Sequence, residues 1–396
     1  MSEPTAFLLA MLAIYTLPWL LWRAAGQRSW LPLVVVQIVG GVLAGPAVLG
    51  AVFPDAHGAL FTPGVLGALG GIASWAVMLF VFVAGLELDL PDAWANRRDT
   101  ATTAGLALIV PLLIGAATAA LVMRDSVWMG VGAARWQFLL GVGLACAVTA
   151  LPILLLFLER LGILRSPLGQ RILRYASLDD LIVWALLAVI LVDAEMLGRQ
   201  AEFATLFALA TIAARRLFAR ANERDRIPLA LMWLLVVALG ADWAGLHYMV
   251  GAFLAGSVLD SDWFGIPVID EWRDRILTLL MPVFFLSTGL RTRWEMGGMD
   301  VIGVALALLA AIVVGKRFGV LLAARILGWA KGEARLIGWL LQTKALIMII
   351  FANIMLDRGV ISPTAFTALL LAAVLSTMLA MPMAQRAIAA RDADKG

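Results

Sequence analysis

The sequence has few of the residues from which metal centres and disulfide frameworks are built. It contains one cysteine, Cys146, and two histidines, His57 and His247, in 396 residues. One cysteine cannot form an internal disulfide, and because Cys146 lies in an apolar segment we expect a buried thiol. Two histidines are too few for a histidine-based metal or haem site, so we expect no resident cofactor.

Charged residues are scarce as well. They make up 14% of the chain, against 63% hydrophobic residues, whereas a soluble domain has about 25% charged residues. This composition excludes an ordinary soluble domain and predicts a polytopic membrane protein. No basic patch is interleaved with aromatic residues, so nothing favours nucleic-acid binding. Paired histidines, a reactive-cysteine environment and a Ser/Lys dyad are also missing, which disfavours an enzyme.

Long apolar stretches are abundant. Those of roughly 17–25 residues are candidate membrane spans, and they predict an all-α fold with about 13 transmembrane helices. They lie at about residues 6–22, 31–52, 63–87, 100–122, 136–158, 172–194, 202–219, 228–242, 245–260, 275–291, 300–327, 335–356 and 362–388.

The distribution of positive charge gives the orientation. Most Arg and Lys residues of the loops follow odd-numbered spans, with the largest group at 215–226. Because such loops stay in the cytoplasm, the sequence predicts an outside N-terminus and a cytoplasmic C-terminus. We expect an integral protein of a prokaryotic plasma (inner) membrane.

Two short motifs occur twice. Leu43-Ala44-Gly45 recurs as Leu254-Ala255-Gly256, and Phe82-Val83-Ala84-Gly85-Leu86-Glu87 recurs as Leu286-Ser287-Thr288-Gly289-Leu290-Arg291. In both cases the copies are seven spans apart. An odd offset inserts the two copies in opposite orientations, so the pattern predicts the inverted repeats typical of secondary transporters.

The repeat also predicts where helices break. Pro152 in the fifth span removes a backbone donor and clashes with the preceding turn. The equivalent twelfth span carries Gln342-Thr343-Lys344. We therefore expect two crossed broken helices whose half-helix ends carry partial charges, with Lys344 compensating the charge of the carbonyl ends.

The adjacent carboxylates Asp179 and Asp180 lie within the apolar sixth span. One acidic residue at the bilayer centre costs at least about 2.5–3.5 kcal/mol. Such a pair is tolerable if it faces a water-filled cavity and exchanges its charge for a cation or a proton. The alternative is that both lie at an interfacial helix start, capped by Ser177, as partners of the helix dipole.

Further polar residues occur within the spans. Lys316 follows a continuous apolar run, and a buried ammonium needs a carboxylate partner, for which we predict Asp179. The neighbouring Arg317 leaves open that both cations mark a span end. Thr149 offers a hydroxyl and a freed carbonyl for a small cation, or it bonds back to its own kinked helix.

The remaining polar positions suggest structural roles. For Asn353 we predict an interhelical hydrogen bond. Glu87, Asp89 and Asp242 lie at span ends, and we expect them to be solvated.

An ordered set of motifs resembles the monovalent cation:proton antiporter-2 family. These are Gly41–Gly50, Leu79 to Glu87, Pro282-Val283-Phe284-Phe285 to Leu290, and Lys344 to Ser362. The resemblance covers essentially the whole chain. It implies an elevator-type sodium/proton antiporter fold and a homodimer, in which a mobile six-helix core moves against a dimerisation domain.

The resemblance also implies roles for single residues. Asp179 and Asp180 match the family's paired acidic motif, whose second aspartate is the principal ion ligand, and Lys316 matches its buried lysine. Aspartate at 179 resembles the electrogenic branch. Gln342-Thr343-Lys344 looks closer to the branch with plant cation/proton exchangers, which often handle potassium.

The implied domains follow the repeats. Residues 1–95 (spans 1–3) and 226–295 (spans 8–10) are expected to form the two halves of the dimerisation domain. Residues 96–198 (spans 4–6) and 296–396 (spans 11–13) are expected to form the two halves of the ion-binding core. Residues 199–225 are the linker span 7.

The sequence thus predicts a secondary antiporter that exchanges Na⁺, or else Li⁺ or K⁺, for H⁺ by alternating access, electrogenically. Asp179, Asp180 and Thr149 are the expected cation and proton ligands, and the two aspartates are the ligands of the transported Na⁺. The expected partners are monovalent cations, protons, the lipid bilayer and a second copy of the chain.

The alternative is an ion-coupled transporter of a small organic anion on the same fold, using Lys344 and Asn353. A cation channel is disfavoured, because a buried Asp–Lys pair would block conduction.

Overall fold

The computed structural model describes residues 2–26, 33–46, 48–87, 96–124, 126–164, 166–191, 197–290, 298–330 and 332–393. Almost all of them are helical, and the one β-feature among them is an isolated bridge between Met129 and Ile361. The helices of the first half are α1 (Glu3–Ala24), α2 (Leu33–Ala44), α3 (Leu49–Val52), α4 (Pro54–Leu60), α5 (Pro63–Leu86), α6 (Arg97–Val122), α7 (Arg135–Ala147), α8 (Leu151–Arg160) and α9 (Pro167–Ile190).

The second half continues the pattern. Its helices are α10 (Leu197–Arg220), α11 (Glu223–Trp243), α12 (Tyr248–Ser257), α13 (Ile266–Arg275), α14 (Met281–Leu290), α15 (Gly298–Leu327), α16 (Glu333–Leu340), α17 (Ala345–Asp357) and α18 (Pro363–Ala393). A π-helical turn, Ile276–Leu280, joins α13 to α14.

Seven helical segments of the described part are long and apolar enough to cross a bilayer, one of them being Leu33–Val52, which contains α2 and α3. The bent pair α16–α17 would add an eighth. The all-helical polytopic fold is therefore confirmed, while the count of thirteen spans stays a prediction. Other predicted spans do not qualify for physical reasons. The fifth is divided into the short helices α7 and α8, and α9 carries two arginines beside its two aspartates.

The chain divides into two compact units. One comprises Met1–Thr62, Asp89–Val183 and Phe285–Gly396, and the other comprises Pro63–Leu88 and Trp184–Phe284. The bounds of these units differ from those of the predicted dimerisation and core domains. That functional division stays a prediction.

The repeated motifs make equivalent contacts. In the first unit, a Cβ on Gly289 of α14 would lie 2.4 Å from the backbone nitrogen of Val42 in α2. In the second unit, a Cβ on Gly85 of α5 would lie 2.5 Å from the carbonyl oxygen of Phe253 in α12. Each contact joins a copy of one motif to the residue directly before the opposite copy of the other, and the atoms contacted belong to the backbone. The glycines of the repeat are thus required by close helix packing.

Helix α6 supports the elements that carry the candidate site, because α7 and α15 both pack on it. A Cβ on Gly143 of α7 would lie 2.5 Å from the carbonyl oxygen of Leu112, and one on Gly315 of α15 would lie 2.5 Å from Cα of Pro111. The glycine next to Lys316 therefore fixes the position of α15 against α6.

One predicted solvated residue is not solvated. The Glu87 side chain is 12% exposed and accepts a hydrogen bond from Arg273 at 2.5 Å. Hydropathy could not show this, because the partner belongs to the amphipathic helix α13, far along the chain. Asp242 is exposed as expected, whereas Asp89 and Arg291 lie outside the described residues. Cys146 is a buried free thiol, as predicted.

Candidate functional site

Two helices of the first unit are interrupted near the site. Helix α7 ends at Ala147, residues 148–150 are not helical, and α8 begins at Leu151. Pro152 is therefore the second residue of the new helix, where a missing N–H costs little. Likewise α16 ends at Leu340 and α17 begins at Ala345, with a bend of 45° between them. The predicted breaks are present, while the crossing of the two helices stays a prediction.

The two interruptions are hydrogen-bonded to each other. The Ala150 N–H donates to the carbonyl oxygen of Thr343. The Thr149 hydroxyl donates to the carbonyl oxygen of Leu341 at 3.3 Å, and the Thr343 hydroxyl lies 3.4 Å from the carbonyl oxygen of Ala150. Thr149 thus bonds across the site and not back to its own helix. Its role as a cation ligand stays a prediction.

Asp179 and Asp180 lie in the middle of α9, twelve and thirteen residues after Pro167. Their exposed fractions are 3% and 1%. The alternative of an interfacial helix start, capped by Ser177, is therefore wrong, because more than two helical turns precede Ser177. Two carboxylates this deep in an apolar helix need compensating positive charge.

Lys316 supplies part of that charge. Its ammonium is fully buried and lies 3.2 Å from Oδ2 of Asp179. The same ammonium donates to the carbonyl oxygen of Ala147 at 2.6 Å. It is also within Coulomb range of Asp180. Lys316 therefore joins the aspartate helix to the carboxyl end of α7, where the helix dipole places negative partial charge.

Lys344 contacts the same helix end. Its fully buried ammonium donates a hydrogen bond to the carbonyl oxygen of Val148, the next residue after α7. Lys316 of α15 and Lys344 of the second interruption therefore bind consecutive carbonyl groups at the first interruption. The predicted role of Lys344, charge compensation at a broken helix, stays a prediction.

The structure adds two polar residues that sequence reasoning missed, Thr377 and Ser376, and it gives partners to Gln342. The Thr377 hydroxyl of α18 accepts hydrogen bonds from the backbone N–H groups of Lys344 and Ala345, at 3.2 and 2.9 Å. Ser376 donates to the carbonyl oxygen of Gln342 at 3.1 Å, and the Gln342 amide donates to carbonyl oxygens of α15 at 3.3 Å. A Ser–Thr pair within an otherwise apolar helix was the available signal.

Two other predicted positions have different environments. Asn353 of α17 donates to the Thr288 hydroxyl of α14 at 3.3 Å, which is the predicted interhelical hydrogen bond. Arg317 lies well inside α15 and is exposed, so the pair Lys316–Arg317 does not mark the end of that helix.

The site as a whole contains two carboxylates, of Asp179 and Asp180, and two ammonium groups, of Lys316 and Lys344. All four are buried, and the other three interact electrostatically with Lys316. Such an arrangement is neutral when all four groups are charged. It can accept a cation without a large net charge only if it loses protons. Buried acids and amines with mutually dependent charges are the chemistry of ion-coupled proton transfer.

Comparisons with known proteins agree with this chemistry. The sequence model of a family described as "Sodium/hydrogen exchanger, transmembrane" matches residues 8–386. The Na(+)/H(+) antiporter NhaS4 of Synechocystis sp. is 27% identical over 369 residues, which are 89% of this chain and 90% of that protein. Cation/H(+) antiporter 15 of Arabidopsis thaliana is 27% identical over 372 residues, 89% of this chain and 44% of that protein.

A solved structure extends the likeness to the fold. The structure of the sodium proton antiporter MjNhaP1 from Methanocaldococcus jannaschii matches with a TM-score of 0.63. The match covers 98% of this chain and 99% of that one, at 14% sequence identity. At this identity the likeness establishes a common fold.

Proposed function

The chain belongs to the sodium/hydrogen exchanger family, and from this membership we propose that it exchanges Na⁺ for H⁺ across the membrane by alternating access. Asp180 and Asp179 bind the cation and the protons in turn, and Thr149 contributes an oxygen ligand. The same proposal includes a homodimer, a mobile core that moves against a dimerisation domain, an outside N-terminus and a prokaryotic inner membrane.

The observation that carries the proposal is the buried pair of Asp179 and Lys316 beside Asp180. A purely structural ion pair would need one carboxylate. The second carboxylate gives the site an ionisable oxygen pair beyond the ion pair, which can hold a proton or a metal ion. Carboxylate and hydroxyl oxygens suit a small hard cation.

The charges suggest a stoichiometry. In the proton-loaded state Asp180 is protonated and Lys316 pairs with Asp179. A cation that binds both aspartates weakens the pairing of Lys316, and a buried ammonium without its carboxylate releases its proton. One cation then replaces two protons, so each exchange moves one net charge across the membrane.

The identity of the cation is the finer part of the proposal. NhaS4 is named as an Na(+)/H(+) antiporter, and we favour Na⁺ on that ground. The sequence Gln342-Thr343-Lys344, which looks closer to plant exchangers, favours a test with K⁺ and Li⁺ as well. Transport of an organic anion is not favoured, because Lys344 and Asn353 are both engaged in hydrogen bonds with the protein.

Reconstitution tests the proposal directly. Proteoliposomes with an acidic interior and a trapped pH-sensitive dye are given Na⁺, Li⁺, K⁺ or choline in turn. We expect alkalinisation with Na⁺ and none with choline. Asp180→Asn should abolish exchange because it replaces the ionisable carboxylate with a neutral amide. The matched control Asp225→Asn, at an exposed position in the first turn of α11, should exchange normally. Wild-type exchange by Asp180→Asn would show that the assignment is wrong.

A further inference from the structure

A cleft of about 580 Å³ opens beside α15, distant in sequence from the aspartate helix. It is lined by α15, by the start of α16 and by the last part of α18. Among the residues that the structure describes, its lining contains two arginines, Arg317 and Arg335, and no acidic residue; the other lining residues are apolar. A cleft with two positive charges inside an apolar wall is complementary to an amphipathic anion.

The guanidinium of Arg317 is held in place by a stacking contact that leaves its hydrogen-bond donors accessible to a ligand. Its guanidinium stacks on the indole ring of Trp339, 5.0 Å from the ring centroid, and Gly338 leaves room for its stem against α16. Stacking covers a face of the guanidinium but leaves its N–H donors available at the edge. Within the described residues, neither Arg317 nor Arg335 has an ion-pair partner.

The position of Arg317 along α15 indicates from which side of the membrane a ligand would bind. It lies ten residues before Leu327, the last residue of α15, or about 15 Å along the helix axis. A long side chain at this depth extends toward the nearer interface. By the proposed orientation that interface is cytoplasmic, and Arg335 belongs to the same side.

The apolar wall continues from the cleft onto the lipid-facing surface. Val314 and Phe318, one turn apart on α15, are 58% and 52% exposed, and Leu321 follows them. Hydrocarbon chains can lie along this row of side chains, since in a membrane protein such exposed residues face lipid tails. The headgroup would then lie at the two arginines.

A second cleft, of about 840 Å³, differs from the first in the charges that line it. It also contains arginines, Arg171 and Arg174, but Glu333 lines it too and pairs with Arg171 at 2.6 Å. The positive charge of that cleft is therefore partly neutralised by the protein itself. The cleft beside Arg317 has no such acid among its described lining residues.

We propose that the cleft formed by Arg317, Arg335 and the apolar row Val314–Phe318–Leu321 binds an anionic phospholipid of the cytoplasmic leaflet. The two guanidinium groups bind the lipid phosphate, and the acyl chains lie along α15. Basic pockets between membrane helices on the cytoplasmic side are suited to such headgroups. The proposal depends on membrane insertion and orientation and not on ion exchange, so the two proposals can fail separately.

Lipid binding to the purified full chain tests it. Native mass spectrometry measures the apparent Kd for phosphatidylglycerol and for zwitterionic phosphatidylcholine, and thermal unfolding adds inorganic phosphate as a third ligand. We expect tighter binding of phosphatidylglycerol than of phosphatidylcholine and no stabilisation by phosphate. In Arg317→Gln/Arg335→Gln the Kd for phosphatidylglycerol should rise about tenfold or more, because two phosphate contacts are lost.

The control is Arg216→Gln/Arg220→Gln, which removes the same charge from exposed positions at the end of α10 and should bind as the wild type does. If the first double variant does not fold, Arg335→Gln alone decides, with an expected rise of about threefold or more. Unchanged phosphatidylglycerol binding in the variant would overturn the proposal. So would equal stabilisation by free phosphate, or a changed oligomeric state with unchanged lipid affinity, which would identify a second copy as the occupant.

Discussion

Lys316 illustrates what a single buried charge requires. Its ammonium has two partners, the carboxylate of Asp179 and the carbonyl oxygen of Ala147. The pairing with Asp179 was predictable, because charged residues within apolar segments are few and must compensate one another. The contact with Ala147 was not, because a carbonyl group freed at a helix end has no signature in the side-chain sequence.

Replacing only one partner of the Lys316–Asp179 pair should destabilise the protein more than replacing both partners. Lys316→Gln leaves Asp179 buried without its cation, which costs about 3–5 kcal/mol for a buried pair. We expect a large fall in the thermal stability of the purified protein, measured in detergent. Adding Asp179→Asn should recover much of the loss. A double variant as unstable as the sum of both single variants would contradict the pairing, and Arg216→Gln serves as the exposed control.

Thr377 shows how one helix completes another. The N-terminal N–H groups of α17 have no acceptor in their own helix, and the hydroxyl from α18 accepts two of them. The sequence did not reveal this, because hydroxyls in apolar helices commonly bond a carbonyl of their own helix. Fixing the start of α17 also fixes Lys344, the residue that precedes it.

We expect Thr377→Val to impair transport because it leaves two buried donors unsatisfied at about 1–3 kcal/mol each. The rate of cation-driven proton movement in proteoliposomes should fall several-fold, and Thr377→Ser should restore it. Thr118→Val is the matched control, because the Thr118 hydroxyl bonds the carbonyl oxygen of Ile114 in its own helix. Equal rates in Thr377→Val and Thr118→Val would show that the hydroxyl does not position α17.

The repeated glycines give a second prediction about helices. Gly85→Ala should destabilise the protein by about 1–3 kcal/mol, the usual range for overpacking, because the added methyl group meets the backbone of α12. Gly70→Ala in the same helix α5 meets nothing within 4 Å, and it should be neutral or slightly stabilising. Thermal unfolding of both variants in detergent compares them, and equal midpoints would show that the close contact is absent.

Helix positions were largely predictable, and helix lengths were not. Each apolar segment contains helix in its described part, since hydropathy reports burial in lipid. The two interruptions were also predictable, one from Pro152 and the other from its repeat partner. Hydropathy could not show that α12 has only ten residues, because apolar residues such as Leu246 and Leu259 continue on both sides of it but lie outside the helix.

For the protein as a whole, competition between cation and proton predicts a pH dependence. Under the proposed assignment of Asp180 as the shared ligand, its protonation removes the charge that binds Na⁺, so fewer molecules can bind the cation as pH falls. The apparent KM for Na⁺ should therefore rise on acidification, by about tenfold per pH unit where a single proton competes and more where two do. Exchange rates in proteoliposomes over a series of Na⁺ concentrations and pH values measure this. A KM independent of pH would exclude shared ligands.

The hydrogen bonds between residues 148–150 and 341–344 have a mechanical consequence. Separating these segments would leave buried backbone groups without partners, so the four half-helices α7, α8, α16 and α17 should move as one rigid body. Flexing would then fall to loops such as those at Gly162 and Gly328, whose backbones have positive φ angles of 68° and 67°. An ion bound to such a rigid body would keep the same ligand geometry on both faces of the membrane. The site would therefore have the same ion selectivity during uptake and during release.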